Sequence, residues 1–203
     1  MMRIRKFIAV LILSVISLTS SAQDSFMLRN CIQVNKKWDK ISTGIKFENR
    51  TNDCWLIRPM VGYTFKPWLK AELSYEFNHS YSKNPCHKAM LGLIGSIRQG
   101  NLYVRLRERY VSSWGITETG PYQHDNVLRS LLMVQYSIPG CIINPFVSVE
   151  LYTWNKWQKT RHLVGIKLPV DSHNEFEIAY LYMTFADKPS AIHGLNISYS
   201  LDF

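Results

Sequence analysis

Residues 194–203, GLNISYSLDF, alternate apolar and polar side chains without a break. Successive strand side chains point to opposite faces, so Leu195, Ile197, Tyr199, Leu201 and Phe203 share one face and Asn196, Ser198, Ser200 and Asp202 the other. Such a segment is half of a two-faced sheet, and its apolar face has to be covered, either by a core or by lipid.

The same pattern recurs along the chain. Turn signals at KKWDK, RTND, FKPW, SKNPCHK, RQGN, GITETGPYQHDN, IPGC, WNKWQ, VDSHNE and ADKPS separate runs of about ten residues, the length of a membrane-barrel strand. Eleven runs result, over approximately 26–36, 40–50, 55–65, 69–79, 87–98, 101–113, 126–138, 143–154, 159–169, 174–185 and 191–203. In LYVRLRERY, Leu102, Val104, Leu106 and Tyr110 oppose Arg105, Arg107 and Arg109. Phe176, Ile178, Tyr180 and Tyr182 likewise oppose Glu175 and Glu177. Almost nothing is left for helix.

Alternation alone does not say which face points inward, because a soluble sheet buries its apolar face and a membrane barrel turns it outward. The start of the chain supplies a direction. Arg3, Arg5 and Lys6 precede an apolar run from Phe7 to Leu18 and a small polar stretch, the layout of a secretory signal peptide with cleavage after Ala22. That run is too short for a spanning helix, which needs roughly 20 residues. Together with 13% aromatic residues and the terminal Phe203, the expectation is an all-β fold: an antiparallel up-and-down transmembrane β-barrel of 10 to 12 strands, after a cleaved signal peptide. Residues 1–22 are the signal and 23–203 a single outer-membrane barrel domain.

Two further patterns fit the expectation. Odd-numbered connections such as FKPW, RQGN and IPGC are short and several even-numbered ones are longer, as for periplasmic turns and external loops. Trp38, Trp55, Trp68, Trp114, Trp154 and Trp157 flank turns, where an interfacial girdle would place them. An antiparallel barrel with both ends on one rim needs an even number of strands, so parity favours ten or twelve over eleven. The polar run around Asn30 and Cys31 is the weakest strand, and 112–123 is where a hairpin could extend.

The formal charge of +9 becomes +6 once the three basic residues of the signal are gone. Basic residues scattered along strands of an exported chain exclude nucleic acid as a partner class and leave outer-membrane lipid and a small anionic solute. Cys31, Cys54, Cys86 and Cys141 lack metal-site spacing; in an oxidising compartment, a Cys54–Cys86 bridge between neighbouring loops is the favoured pairing, against free buried thiols. No CxxC, HExxH, phosphate loop or calcium loop occurs, so no cofactor or metal is expected.

The chain resembles a Bacteroidota outer-membrane β-barrel family of unknown function, domain-of-unknown-function family 2490. The resemblance rests on IKFENR followed by WLIRPMVGYTF, on YVRLRERY, on VSVELY with Glu150, and on NISYSLDF. It implies architecture and an outer-membrane location, and adds no catalytic motif.

With apolar faces toward lipid, Glu48, Arg58, Arg105, Arg107, Arg109 and Glu150 become the candidate lumen-binding residues, within a larger inward set of Arg, Lys and Glu. Paired charges forming a polar filling that fixes the register are the first reading, and an anion-selective constriction or ligand pocket built on the triple-arginine strand the second. An outer-rim hydrolase using His79 beside Ser80, His87, or His124 beside Asp125 is a third, although adjacency in a loop does not set a base against a nucleophile. His162 and His193 fall near strand starts as interfacial or lumenal side chains. No catalytic residue is assigned. A soluble exported barrel with an apolar ligand cavity is the alternative of opposite polarity.

Overall fold

The computed structural model describes residues 25–51, 53–81, 85–117, 120–187 and 189–203. The expected signal peptide lies outside the described residues. Eleven strands follow in chain order: β1 (Ser25–Trp38), β2 (Ile41–Arg50), β3 (Cys54–Lys66), β4 (Leu69–Ser80), β5 (Cys86–Gln99), β6 (Leu102–Thr117), β7 (Gly120–Tyr136), β8 (Asn144–Trp154), β9 (Lys156–Pro169), β10 (Asn174–Phe185) and β11 (Ile192–Asp202). There is no helix among the described residues. Each strand pairs with its sequence neighbours, and β1 pairs with β11, so the sheet closes into a barrel without a free edge.

Closure answers the parity question differently from the expectation of ten or twelve strands. Neighbours in sequence pair antiparallel, but β1 and β11 run parallel, from Ser25 opposite Ile192 to Asn35 opposite Asp202. A parallel seam lets an odd number of strands close, and it puts Ser25 and Phe203 at opposite rims. At the seam Gly194 lies against the backbone of Met27, where a Cβ would collide with the Met27 carbonyl. Glycine is the residue that this approach admits.

Turn chemistry explains the tight connections. Asp39 and Asn155 adopt positive φ (48° and 58°), as do Gly100 and Gly140 (56° and 70°), all Gly, Asn or Asp, the types that tolerate this region. Before β10, the Asp171 carboxylate accepts the backbone N–H groups of His173 (2.7 Å) and Asn174 (2.8 Å). Those bonds, the one from His173 foremost, hold Asp171 below the ordinary carboxylate range.

Loop length does not distinguish the two rims as expected. A single residue, Asn155, joins β8 to β9, whereas residues 137–143 join β7 to β8 on the other rim. The long connection expected at GITETGPYQHDN (115–126) is largely strand, and the hairpin does extend within 112–123: β6 and β7 continue pairing to Thr117 and Gly120, past the last β7–β8 pair at Leu128 and Thr153. The wall has the polarity of the membrane class. Ile32, Phe47, Leu73, Leu91, Leu106 and Val164 are exposed on the outside, while Glu48, Glu76 and Glu150 are 0–2% exposed inside. Tyr199 and Phe203 also lie exposed, so the arrangement with an apolar interior and charged exterior is not the one adopted. Glu108 is a departure, a carboxylate on the outer wall that accepts a hydrogen bond from Ser130 Oγ at 2.7 Å.

All four cysteines are free. Cys54 stands opposite Ser80 of β4, and Cys86 opposite Asn78 on that strand's other edge, so β4 separates the two thiols. Two strand spacings, about 9–10 Å, exceed the reach of a disulfide, which corrects the expected pairing. We expect four thiols per chain to react with a maleimide on denaturation without reductant; labelling at two sites would show a bridge.

Candidate functional site: a charged lumen

An eleven-strand barrel is wider than the eight-strand kind that ordinary side chains fill and narrower than a porin. Its inner face divides accordingly. Met133, Phe146, Leu163, Ala179 and Leu181, on β7 to β10, form an apolar patch. The remaining space is taken by long charged side chains, and the buried carboxylates of Glu48, Glu76 and Glu150 each serve more than one of them.

Glu48 receives a two-pronged pair from Arg29, with Nε and Nη2 each at 2.7 Å from a different oxygen. Lys46 Nζ at 2.8 Å and Arg50 Nε at 2.7 Å share the same carboxylate. Glu76 holds Arg58, through Nε at 2.9 Å and through Nη2, and Lys88 at 2.7 Å. Glu150 gathers three guanidinium groups: Arg107 at 2.7 Å, Arg129 through Nε at 3.1 Å and Nη2 at 3.0 Å, and Arg161. Tyr152 donates its hydroxyl to the same group at 2.8 Å. Arg109 reaches across β5 to Glu72 at 2.6 Å. Bidentate, charge-assisted bonds of this kind offset the cost of taking the ions out of water.

The pairs follow from register. Arg161 stands opposite Glu150 on the β8–β9 ladder, and Lys88 opposite Glu76 on β4–β5, so alternation brings both partners to the inner face. Arg107 and Glu150 face each other across the intervening β7, a distance that arginine's length spans. Of the residues singled out in the sequence, Glu48, Arg58, Arg107, Arg109 and Glu150 all lie in these clusters. Arg105 does not: its Nε donates to Tyr103 Oη at 3.1 Å and its guanidinium lies 5.5 Å from that ring's centre. Of the three arginines of β6, Arg107 and Arg109 border one space in the lumen and Arg105 another, nearer the rim of Phe203.

Two adjoining spaces open toward the rim that carries Phe203: one of about 540 Å³, lined by Arg98, Arg105, Lys167, Glu175, Glu177 and Asn196, among others, and one of about 480 Å³, lined by Met60, Lys70, Glu72, Ile94 and Ser96, among others. A further space of about 140 Å³ lies toward the opposite rim. Its lining comes from ten strands, β1 to β10, so it is the open centre of the lumen at that level. Lys159 borders it without a carboxylate partner among the described residues; its ammonium stands 4.5 Å from the Tyr152 ring centre and 6.0 Å from that of Phe185. Arg29, Lys88 and Lys159 were not chosen from the sequence. Lys159 precedes Arg161 by two residues and was recoverable from alternation, whereas Arg29 sat on the strand that looked weakest.

The histidines lie outside the lumen. On the outer wall near the rim opposite Phe203, Phe77, His87 and Trp114 form a row, with His87 and Trp114 stacked at 6.2 Å and 13°. Trp55 with His79 and Tyr182 with His162 and His193 continue the mixed belt. His124 does not engage Asp125; its Nε2 lies 2.9 Å from Ser112 Oγ. No acid orients the ring's other nitrogen among the described residues, so the pair lacks the third member that activates a serine. No cluster of His, Cys, Asp and Glu able to hold a metal ion occurs among the described residues.

Fold and site together define a closed β-barrel with an apolar outer wall and an ion-paired interior. Residues 26–191 match the family described as Protein of unknown function (DUF2490), and the chain belongs to that family. No curated protein and no solved structure matches the chain.

Replacing Glu150 by Gln leaves three arginines without their shared anion. We expect Glu150→Gln to cost about 3–5 kcal/mol of unfolding free energy in a urea titration in detergent micelles. The outer-wall change Glu108→Gln should stay within about 0.5 kcal/mol; equal effects would mean that the lumenal network carries no special weight.

Proposed function

We propose that the protein is a small outer-membrane β-barrel that serves as a structural or solute-binding barrel and not as an open channel. The observation that carries the reading is the polarity of the wall. Large apolar side chains are exposed on the outer face of every strand but β10, and the buried polar groups face a lumen in which Glu48, Glu76 and Glu150 are almost inaccessible. Exposing that much contiguous apolar surface to water would be unfavourable, and contact with hydrocarbon removes the penalty. Closure supports the same reading, because no backbone donor or acceptor is left at an edge to face lipid.

The tryptophans fit the two interfaces of such a membrane. Trp38 and Trp68 are exposed near the rim of Phe203, and Trp154 and Trp157 near the other. The basic, apolar and small-residue segments at 3–22 supply the export route. Charged side chains from ten strands crowd the lumen at one level and leave a space of about 140 Å³ among them, which supports a filled barrel over a wide channel.

The expected behaviour is recovery in the outer-membrane fraction, extraction only with detergent, and a change in gel mobility between unheated and boiled samples. In planar bilayers the wild-type protein should give no steady conductance. Recovery from the periplasm without detergent would end the membrane reading, and a stable open channel would end the closed-lumen reading.

A further inference from the structure

The 140 Å³ space in the lumen holds far more positive than negative charge. Ten arginine and lysine side chains line it, and the carboxylates that engage them are Glu48, Glu72, Glu76 and Glu150 inside the barrel and Asp53 on Arg50 at the rim. The excess of five is most of the formal charge of +6 carried by residues 23–203, so the basic character of the chain is concentrated around one internal cavity. Uncompensated charge away from bulk water costs several kcal/mol per ion, and a bound anion is the direct way to relieve it.

Hydrogen-bonding capacity points the same way. Arg107 Nε and Arg109 Nη1 are buried donors without partners, on side chains that line the cavity and are themselves 18% and 4% exposed. Lys159 adds an ammonium that rests on aromatic rings and meets no carboxylate among the described residues.

We infer that this cavity is a binding site for a compact phosphate-type oxyanion, held by Arg107, Arg109 and Lys159. Size decides the class. About 140 Å³ is the space of four or five liquid waters and falls below the roughly 300–1,000 Å³ of pockets for drug-sized molecules. A phosphate or pyrophosphate group fits; a nucleoside or a lipid chain does not. Planar guanidinium donors match phosphate oxygens, and a multivalent anion compensates more of the excess than chloride does. The site depends on the lumen alone, so it stands or falls separately from the membrane reading.

The test is calorimetric titration of the folded protein in detergent micelles, at neutral pH and constant ionic strength, with pyrophosphate, inorganic phosphate and glycerol 3-phosphate. Saturable one-to-one binding is expected, tighter for pyrophosphate than for phosphate, with thermal stabilisation of the wild-type protein by pyrophosphate. Lys159→Gln, which breaks no ion pair and is checked for retained heat-modifiable mobility, should weaken binding about tenfold. Arg98→Gln, in the 540 Å³ space, should leave it unchanged. Glycerol 3-phosphate binding as well as phosphate assigns the site to the phosphate end of a larger solute, and binding of the inorganic ions alone assigns it to a free anion. Absence of saturable binding and of stabilisation up to about 10 mM overturns the inference. So does equal weakening by Lys159→Gln and Arg98→Gln, which would mark diffuse charge screening.

Discussion

Closure of the backbone ladder is the constraint on which everything else rests. Once β1 pairs with β11, no strand edge remains, and every residue of the wall is sent either out or in by the two-residue period. The outside collects Leu, Ile, Val, Phe and Tyr. The inside collects what is left, and in this chain that is predominantly Arg, Lys and Glu. The interior is therefore not a core in the usual sense; burial there has to be achieved by pairing charges, with a smaller apolar patch on β7 to β10.

Sharing is how so few acids hold so many bases. Glu150 alone engages three guanidinium groups and a phenol. Such nodes tie β6, β7, β8 and β9 together at one level, and Glu48 ties β1 to β2 beside the seam. A one-residue slip of any of these strands would send its charged partner to the outer wall, so the network specifies register as well as filling space.

The eleven strand runs were legible because alternation is local. LYVRLRERY announces its two faces without knowledge of any neighbour. What was not legible depended on which strands meet. Parity argued for ten or twelve strands, and only the parallel contact of β1 with β11 releases that requirement. The Cys54–Cys86 pairing assumed adjacent loops, but one strand lies between the two residues. His124 sits beside Asp125 in sequence, and cross-strand register gives it Ser112 instead. Lumenal residues were identifiable as a set from alternation, while the sharing of Glu150 required the relative heights of four strands.

The opposite placement of the two ends has a practical bearing on topology. Antiparallel hairpins return the chain to its starting side; here the odd count does not, so residue 25 departs from one mouth and residue 203 arrives at the other. A protease-accessible epitope before residue 25 and another after 203 would thus report from different compartments if the wall crosses a bilayer, which makes this barrel its own internal control for sidedness.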